Sequence, residues 1–194
     1  MLFRRVGLCG AFAVAMAWQL SLSALSAAEK TEDVKIKGIT LAVPAGWKQE
    51  EPSNRLRLAQ FKVNPAEGDK EPAELVISSF DGGGGGVGPN LQRWINQFEA
   101  DGRKSKTTVG ESAQGKYYVS DLTGTYKKPD GPPVAGKTKP VPGSRSLGVI
   151  LEAADKNVYF LKLTGPEKTV TAAAEGFRKS FGGNGEKETP YEMK

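Results

Sequence analysis

The sequence predicts an α+β domain in which an antiparallel β-sheet is packed with two helices. Two segments place apolar residues at helical spacing: Leu91, Trp94, Ile95 and Phe98, and later Val170, Ala173, Ala174, Phe177 and Phe181. Around them lie short runs with period-two alternation or continuously apolar centres, bounded by turn residues. The connections are short and local, which favours antiparallel neighbours over parallel crossovers.

An export signal precedes this domain. Arg4 and Arg5 lead into an apolar run over residues 6–18, and a Ser/Leu/Ala stretch ends in Ser26-Ala27-Ala28 before Glu29. Basic start, apolar middle and small-residue end together make a secretory signal peptide over residues 1–28. The run is shorter than the roughly 20 residues that span a bilayer, so cleavage after Ala28 is expected, leaving no stable membrane span. Cys9 lies near the start of the apolar core, badly placed to become a lipidated mature N-terminus. The chain is therefore placed in the periplasm or the extracellular space. Residues 29–181 form one domain, and the Gly-rich, charged tail 182–194, with no apolar period, is expected to be disordered.

Composition removes whole classes of chemistry. The 194-residue chain has a formal net charge of +5, which falls when Arg4 and Arg5 are removed, too small a surplus to imply nucleic acid as a partner. It has no histidine, and its one cysteine lies in the leader. A disulfide, a Ser-His-Asp triad, a Cys-His pair, an imidazole base and any zinc or copper site needing His or Cys are all closed off. No metal or cofactor is expected. Carboxylate, lysine, tyrosine or serine-lysine chemistry remains, yet the mature chain has no Ser-x-x-Lys, and Gly110-Glu111-Ser112-Ala113-Gln114-Gly115 is one residue too long for a nucleophile elbow. The acid pairs Glu50/Glu51 and Glu99/Asp101 read as solvated surface.

Taken in order, residues 34–43 carry Ile39, Leu41 and Val43 in alternation and stop at Pro44-Ala45-Gly46, a strand with one buried face over which Trp47 lies. Residues 55–63 switch phase from Leu56 and Leu58 to Ala59, Phe61 and Val63, which predicts a bulge or a strand covered on different faces. Residues 73–80 are apolar in both phases at Leu75, Val76 and Ile77, as an inner strand would be. The first helix follows, with Pro89 in its first turn, Gly102 as its C-terminal cap, and Arg103, Lys104 and Lys106 at the negative end of its dipole. Strands are expected near 106–109, 116–126, 146–153 and 158–163, the last two joined by the tight turn Asp155-Lys156-Asn157. The second helix starts at Pro166 and contains Gly176, where a close backbone contact would offset a cost of about 1 kcal/mol. Trp47, Trp94 and Phe177 each sit in the apolar phase of their element and are expected in one core.

Three segments carry candidate chemistry. Six glycines fall within residues 82–88, between a strand and a helix, and Gly83-x-Gly85-x-x-Gly88 fits a dinucleotide fingerprint that such a run makes nearly automatic. Bare amides at the helix start are the better reading: Gly84, Gly85 and Gly86 would hold an anion or peptide group with Asn90 and Arg93 assisting, the alternative being a plain flexible connector. A second candidate is the Pro-rich hairpin loop 127–145, where Lys127, Lys128, Lys137, Lys139 and Arg145 stand against Asp130 alone, a cationic surface or a merely solvated loop. Within it Gly131-Pro132-Pro133-Val134-Ala135-Gly136-Lys137-Thr138 matches the phosphate-loop pattern. The context fails, because two prolines lack the amide hydrogens that would surround phosphates, and Pro140 and Pro142 prevent the helix that must follow.

Ile39-Thr40-Leu41-Ala42-Val43-Pro44-Ala45-Gly46-Trp47 is similar to the strand-Pro-x-Gly-Trp entry of PsbP-like domains, a superfamily that also holds a nuclear Ran-release factor and bacterial envelope proteins. Tyr159-Phe160-Leu161-Lys162-Leu163-Thr164-Gly165-Pro166, running into a helix that ends at Phe181, resembles the same superfamily's final strand and helix. The glycine run before Asn90 and Trp94 looks like an uncharacterised secreted bacterial branch. With the central helix the likeness spans about residues 39–181. It implies a sheet between helices and members that act as binding or assembly accessories rather than catalysts. Plant PsbP retains metal partly through histidine, which this chain lacks, so no family residue carries over. The leading expectation is an exported, non-enzymatic binding or assembly-accessory domain whose partner is an envelope protein or an anionic ligand. A His-free hydrolase or lyase using carboxylates near Asp81 and the glycine loop is the alternative, and an exported phosphate or nucleotide binder rests on the Lys137 pattern alone.

Overall fold

The computed structural model describes residues 30–131 and 136–193. The signal-peptide segment 1–28, the stretch Pro132-Pro133-Val134-Ala135 of the phosphate-loop pattern, and Lys194 lie outside the described residues. The fold is α+β, and every strand pairing in it is antiparallel.

A hairpin of β1 (Thr31–Ile36) and β2 (Ile39–Pro44) stands apart from the main sheet. The single strand expected over 34–43 is thus two. Ile36 and Ile39 are both buried and paired, and this break in the alternation marks the Lys37-Gly38 turn, where Lys37 takes φ 51°. The main sheet contains β3 (Lys48–Glu50), β4 (Ala59–Val63), β5 (Ala73–Ser79), β6 (Lys104–Ser112), β7 (Gly115–Pro129), β8 (Thr138–Ala153), β9 (Val158–Pro166) and β10 (Thr189–Pro190). Their spatial order is β10-β6-β7-β8-β9-β5-β4-β3. The phase switch at Leu58 is the start of β4 and not a bulge, because Leu56 is 58% exposed in a turn held by Asn54.

The sheet has two apolar faces, each with its own helix. Leu75, Ile77, Val149, Leu161 and Leu163 point to one side, where β2, Val170 and Phe177 of α2 (Glu167–Ser180) close the larger core. Trp47 packs on the edge of this core, and Gly176 lines a shallow cleft beside it with Val63 and Thr169. On the other side Leu91, Trp94 and Ile95 of α1 (Val87–Ile95) cover Tyr118, Leu122, Ile150 and Phe160. Trp94 therefore does not share a core with Trp47 and Phe177. Helical spacing reveals that a face is buried, but not against which side of a sheet.

Helix α1 is also shorter than its apolar period implies. It ends at Ile95, and Phe98 leaves it to bridge Tyr126 of β7, their rings 5.3 Å apart. Gly102, at φ 66°, turns the chain toward β6, seven residues beyond the helix end, so it is not the cap. The Arg103 guanidinium does that work by donating to the carbonyls of Ile95 (3.0 Å) and Phe98 (3.3 Å).

The tail is the largest departure from the sequence reading. Residues 182–193 are ordered against the domain: β10 pairs with β6, and the ring of Tyr191 lies 4.9 Å from that of Tyr118. Glu188, its side chain only 4% exposed, accepts from Arg178 Nε at 2.9 Å and from Thr108 Oγ1 at 2.7 Å. A low-hydrophobicity segment cannot nucleate order alone, but here a preformed sheet edge and a buried ion pair supply what its own composition lacks.

Candidate functional site

The glycine segment folds back on its own helix. Asp81–Gly85 forms a 3-10 turn, and Gly83, Gly84, Gly85 and Gly86 all have φ between 65° and 92°. Four consecutive positions in that region need glycine for backbone reasons alone. Asn90, buried on α1, donates from Nδ2 to the carbonyls of Gly84 (2.8 Å) and Gly86 (2.6 Å), and its Oδ1 accepts from Arg93 Nη2. The Asn90 side chain is thus engaged within the protein. The Asp81 side chain, the anchor of the hydrolase alternative, lies outside the described residues.

Gly84 carries a steric demand as well. A methyl group there would come within 2.8 Å of the Phe160 ring, whereas at Gly85 and Gly86 it would meet open space. Gly84→Ala is expected to cost about 1–3 kcal/mol, from left-handed backbone strain plus displacement of Phe160. A denaturant melt measures this, and a loss indistinguishable from that of Gly85→Ala would contradict the packing argument.

The second candidate is not a loop but a ribbon. The β7–β8 register runs from Gly115↔Ala153 to Pro129↔Thr138, with one irregularity between Gly124 and Tyr126. Beyond Ser144, back toward Thr138, no described strand flanks β8 on the side away from β7, and Pro140 and Pro142, which lack amide hydrogens, occupy that free edge. The other edge is tied to the segment after α1 by Glu99 N donating to Thr125 O (2.9 Å) and Lys127 N to Gln97 O (2.8 Å). Exposed Lys128 lies directly across from exposed Lys139, and exposed Lys137 accepts at its carbonyl from Asp130 N (2.9 Å). Alternation places Lys128, Lys137 and Lys139 on one face, with Asp130 across from Lys137, and Lys127 on the other. Arg145 does not belong with them. Its guanidinium grips Asp121 with two bonds (2.9 and 2.7 Å) and reaches Thr171 of α2, so it ties helix to sheet.

A third cluster escapes the motif search. Lys162 of β9 lies on the α1 side of the sheet, where its ammonium donates to Gln97 Oε1 and sits 5.0 Å from the centre of the Tyr126 ring. Burial, reinforced by the Arg93 charge and opposed by Glu74, brings its pKa down to about 8. Tyr126 is shifted upward by burial and by Glu74, against Arg57. Arg57 in turn holds Glu74 at 2.8 Å and Gln60 at 2.7 Å. The available signal was a lone cation between Leu161 and Leu163 in an inner strand, in phase with Phe160.

Among the described residues no helix is long and apolar enough to cross a membrane. No family model matches the chain, and no curated protein matches it significantly. Solved structures similar to the chain include the following three. A Pseudomonas aeruginosa protein of unknown function, PA94, has 17% identity, with 77% of this chain and 92% of that one covered and a TM-score of 0.44. The Ran-binding protein Mog1p of Saccharomyces cerevisiae has 9% identity, with 75% and 83% covered and a TM-score of 0.42. Cyanobacterial PsbP from Synechocystis has 12% identity, with 89% of this chain and 99% of that one covered and a TM-score of 0.46.

Proposed function

We propose that this chain is an exported, non-enzymatic binding or assembly-accessory domain that engages an acidic partner in the cell envelope through the cationic face of the β7–β8 ribbon. The observation that carries this reading is the placement of Lys128 directly across from Lys139. Like charges facing each other across an antiparallel pair weaken the ribbon that bears them, and an acidic surface laid against that face relieves the repulsion. Lys137 lies on the same face with Asp130 across from it, so the net positive charge there rests on Lys128 and Lys139, and Arg4, Arg5 and the apolar run behind them support export. The glycine segment serves in this reading as the brace that seats α1.

Lys139→Glu tests the proposal without damaging the fold, because it turns a repulsive cross-strand pair into an attractive one. Capture of partners from envelope extract is expected to weaken about tenfold, roughly 1–2 kcal/mol, while the melting temperature stays level or rises. Equal recovery of the same partners by both proteins would remove the ribbon from the binding surface.

A further inference from the structure

Helix α1 covers only part of its side of the sheet, packing on β7, β8 and Phe160 near the start of β9. Further along β9, and on β5 and β4, most residues pointing to that side are polar, with Val76 paired directly to Lys162 as the apolar neighbour. Lys62, on the α1 side, is exposed, and the Glu74 side chain is 46% exposed, so water reaches this half of the face. Setting aside Lys48 and Glu50 on the edge strand, whose charges offset, Lys62, Arg57, Arg93 and Lys162 stand here against Glu74.

We propose that Lys162 and Arg93 form a binding site for a compact oxyanion, a carboxylate or phosphate group, on the part of the sheet that α1 leaves open. The ammonium of Lys162 has three donors, of which Gln97 Oε1 takes one, and the Tyr126 ring supplies a cation–π contact. Among the described residues no carboxylate forms an ion pair with Lys162, and Oε1 of Glu74 is held by Arg57. A half-buried cation with one neutral acceptor is costly to keep, and a second cation beside it raises that cost. Arg93 is that second cation: it is exposed, one turn before Gln97 in the chain, and spends Nη2 on Asn90 while its other guanidinium nitrogens remain to donate. An oxyanion seated between the two accepts charge-assisted bonds from both and removes their mutual repulsion. Gln97 and Tyr126 flank the ammonium, which limits the site to a small group.

The proton on Lys162 gives the site its pH dependence. The charged groups facing it are Arg93 from α1 and Glu74 from β5, with Arg57 one step further out; Tyr126 from β7 stays neutral, because its pKa is raised. The anion binds the ammonium and not the amine, so affinity falls as pH rises above about 8, and bound anion raises the Lys162 pKa in return.

Calorimetric titration of the purified protein with inorganic phosphate and with succinate, repeated from pH 7 to about 10, tests the site. Nitrogen-edited spectra of the Gln97 side-chain amide and the Trp94 indole report its location. Saturable binding of at least one anion is expected at pH 7, with shifts at Gln97 and affinity falling up to about tenfold per pH unit above 8. Lys162→Met and Arg93→Gln should each weaken it about tenfold or more. Lys162→Met removes a poorly solvated charge and keeps the side-chain length, so it is expected to fold. Response to phosphate alone assigns a phosphate group, and response to succinate alone a carboxylate. Absence of shifts at Gln97 with both anions, or undiminished binding in Lys162→Met, would overturn the proposal. So would an affinity in the wild type that stays flat across this pH range, whatever the variants do. The site is separate from the ribbon, so Lys139→Glu leaves it intact and the two proposals fail independently.

Discussion

Trp94→Ala is expected to lose about 3–5 kcal/mol of stability, the range for emptying a large aromatic site in a core. Trp94 is 5% exposed and meets the Phe160 ring edge-on, with centroids 6.3 Å apart. Beneath it lies Gly148, where a methyl group would come within 2.5 Å of the indole. That glycine lets the helix sit close to the sheet, so nothing nearby is shaped to fill the space Trp94 would leave. The smaller core consists of few residues besides this one, and the glycine segment is braced from the same helix through Asn90. Equilibrium unfolding in urea, read by circular dichroism, gives the difference. A loss below about 0.5 kcal/mol would place Trp94 on a solvent-facing or readily collapsible surface.

Arg178→Ala should cost about 2–4 kcal/mol, because it leaves Glu188 nearly buried with Thr108 Oγ1 as its remaining side-chain partner. The figure sits at and below the low end for a buried pair, since Arg178 itself is 20% exposed and part of its solvation survives folding. The damage should be local as well as global. Amide hydrogen exchange at Thr189 and at its partner Val109 is expected to accelerate strongly as β10 detaches from β6, while β8 and β9 at the sheet centre keep their protection. Unchanged exchange at Thr189 would mean that the tail is held by Tyr191 and Tyr118 rather than by the ion pair.

Periodicity made much of this fold legible. The second helix follows directly from Val170, Ala173, Phe177 and Phe181, and β9 from its alternating buried residues, because each element meets its own packing partner in a regular way. The β1–β2 hairpin stayed hidden because Gly38 is its lone turn-type residue, and the positive φ falls on Lys37, a residue that does not mark a turn by its type. The ribbon from Lys127 to Arg145 resembled a loop because proline is read as a strand breaker, yet Pro140 and Pro142 occupy an edge where no amide hydrogen is required. Order in the tail depends on Arg178, Tyr118 and Thr108, far away or in other elements, which no window of local composition contains. Candidate chemistry divided in the same way. Asn90 and Arg93 were visible as polar residues on an amphipathic helix, but their engagement with the glycine carbonyls and with each other is a matter of three-dimensional contact. Lys162 was visible only as an oddity in phase, and its standing comes from its contacts with Gln97 and Tyr126 and from the influence of the Arg93 charge.

The central functional claim is that binding resides in the ribbon and not in the glycine segment, and separate variants of the two decide it. Lys139→Glu reverses charge on the ribbon, and Gly85→Ala with Gly86→Ala strains the backbone of the glycine segment, at φ 92° and 87°, while its methyl groups meet open space and the Phe160 contact of Gly84 stays intact. Both proteins, with the wild type, would be immobilised and challenged with envelope extract at low and at high salt, the bound partners being quantified by mass spectrometry. The expected result is a partner set that is acidic, released by salt, retained by the glycine variant and depleted about tenfold by Lys139→Glu. Depletion by the glycine variant alone, with the Lys139→Glu protein capturing as the wild type does, would contradict it and return the binding surface to the start of α1.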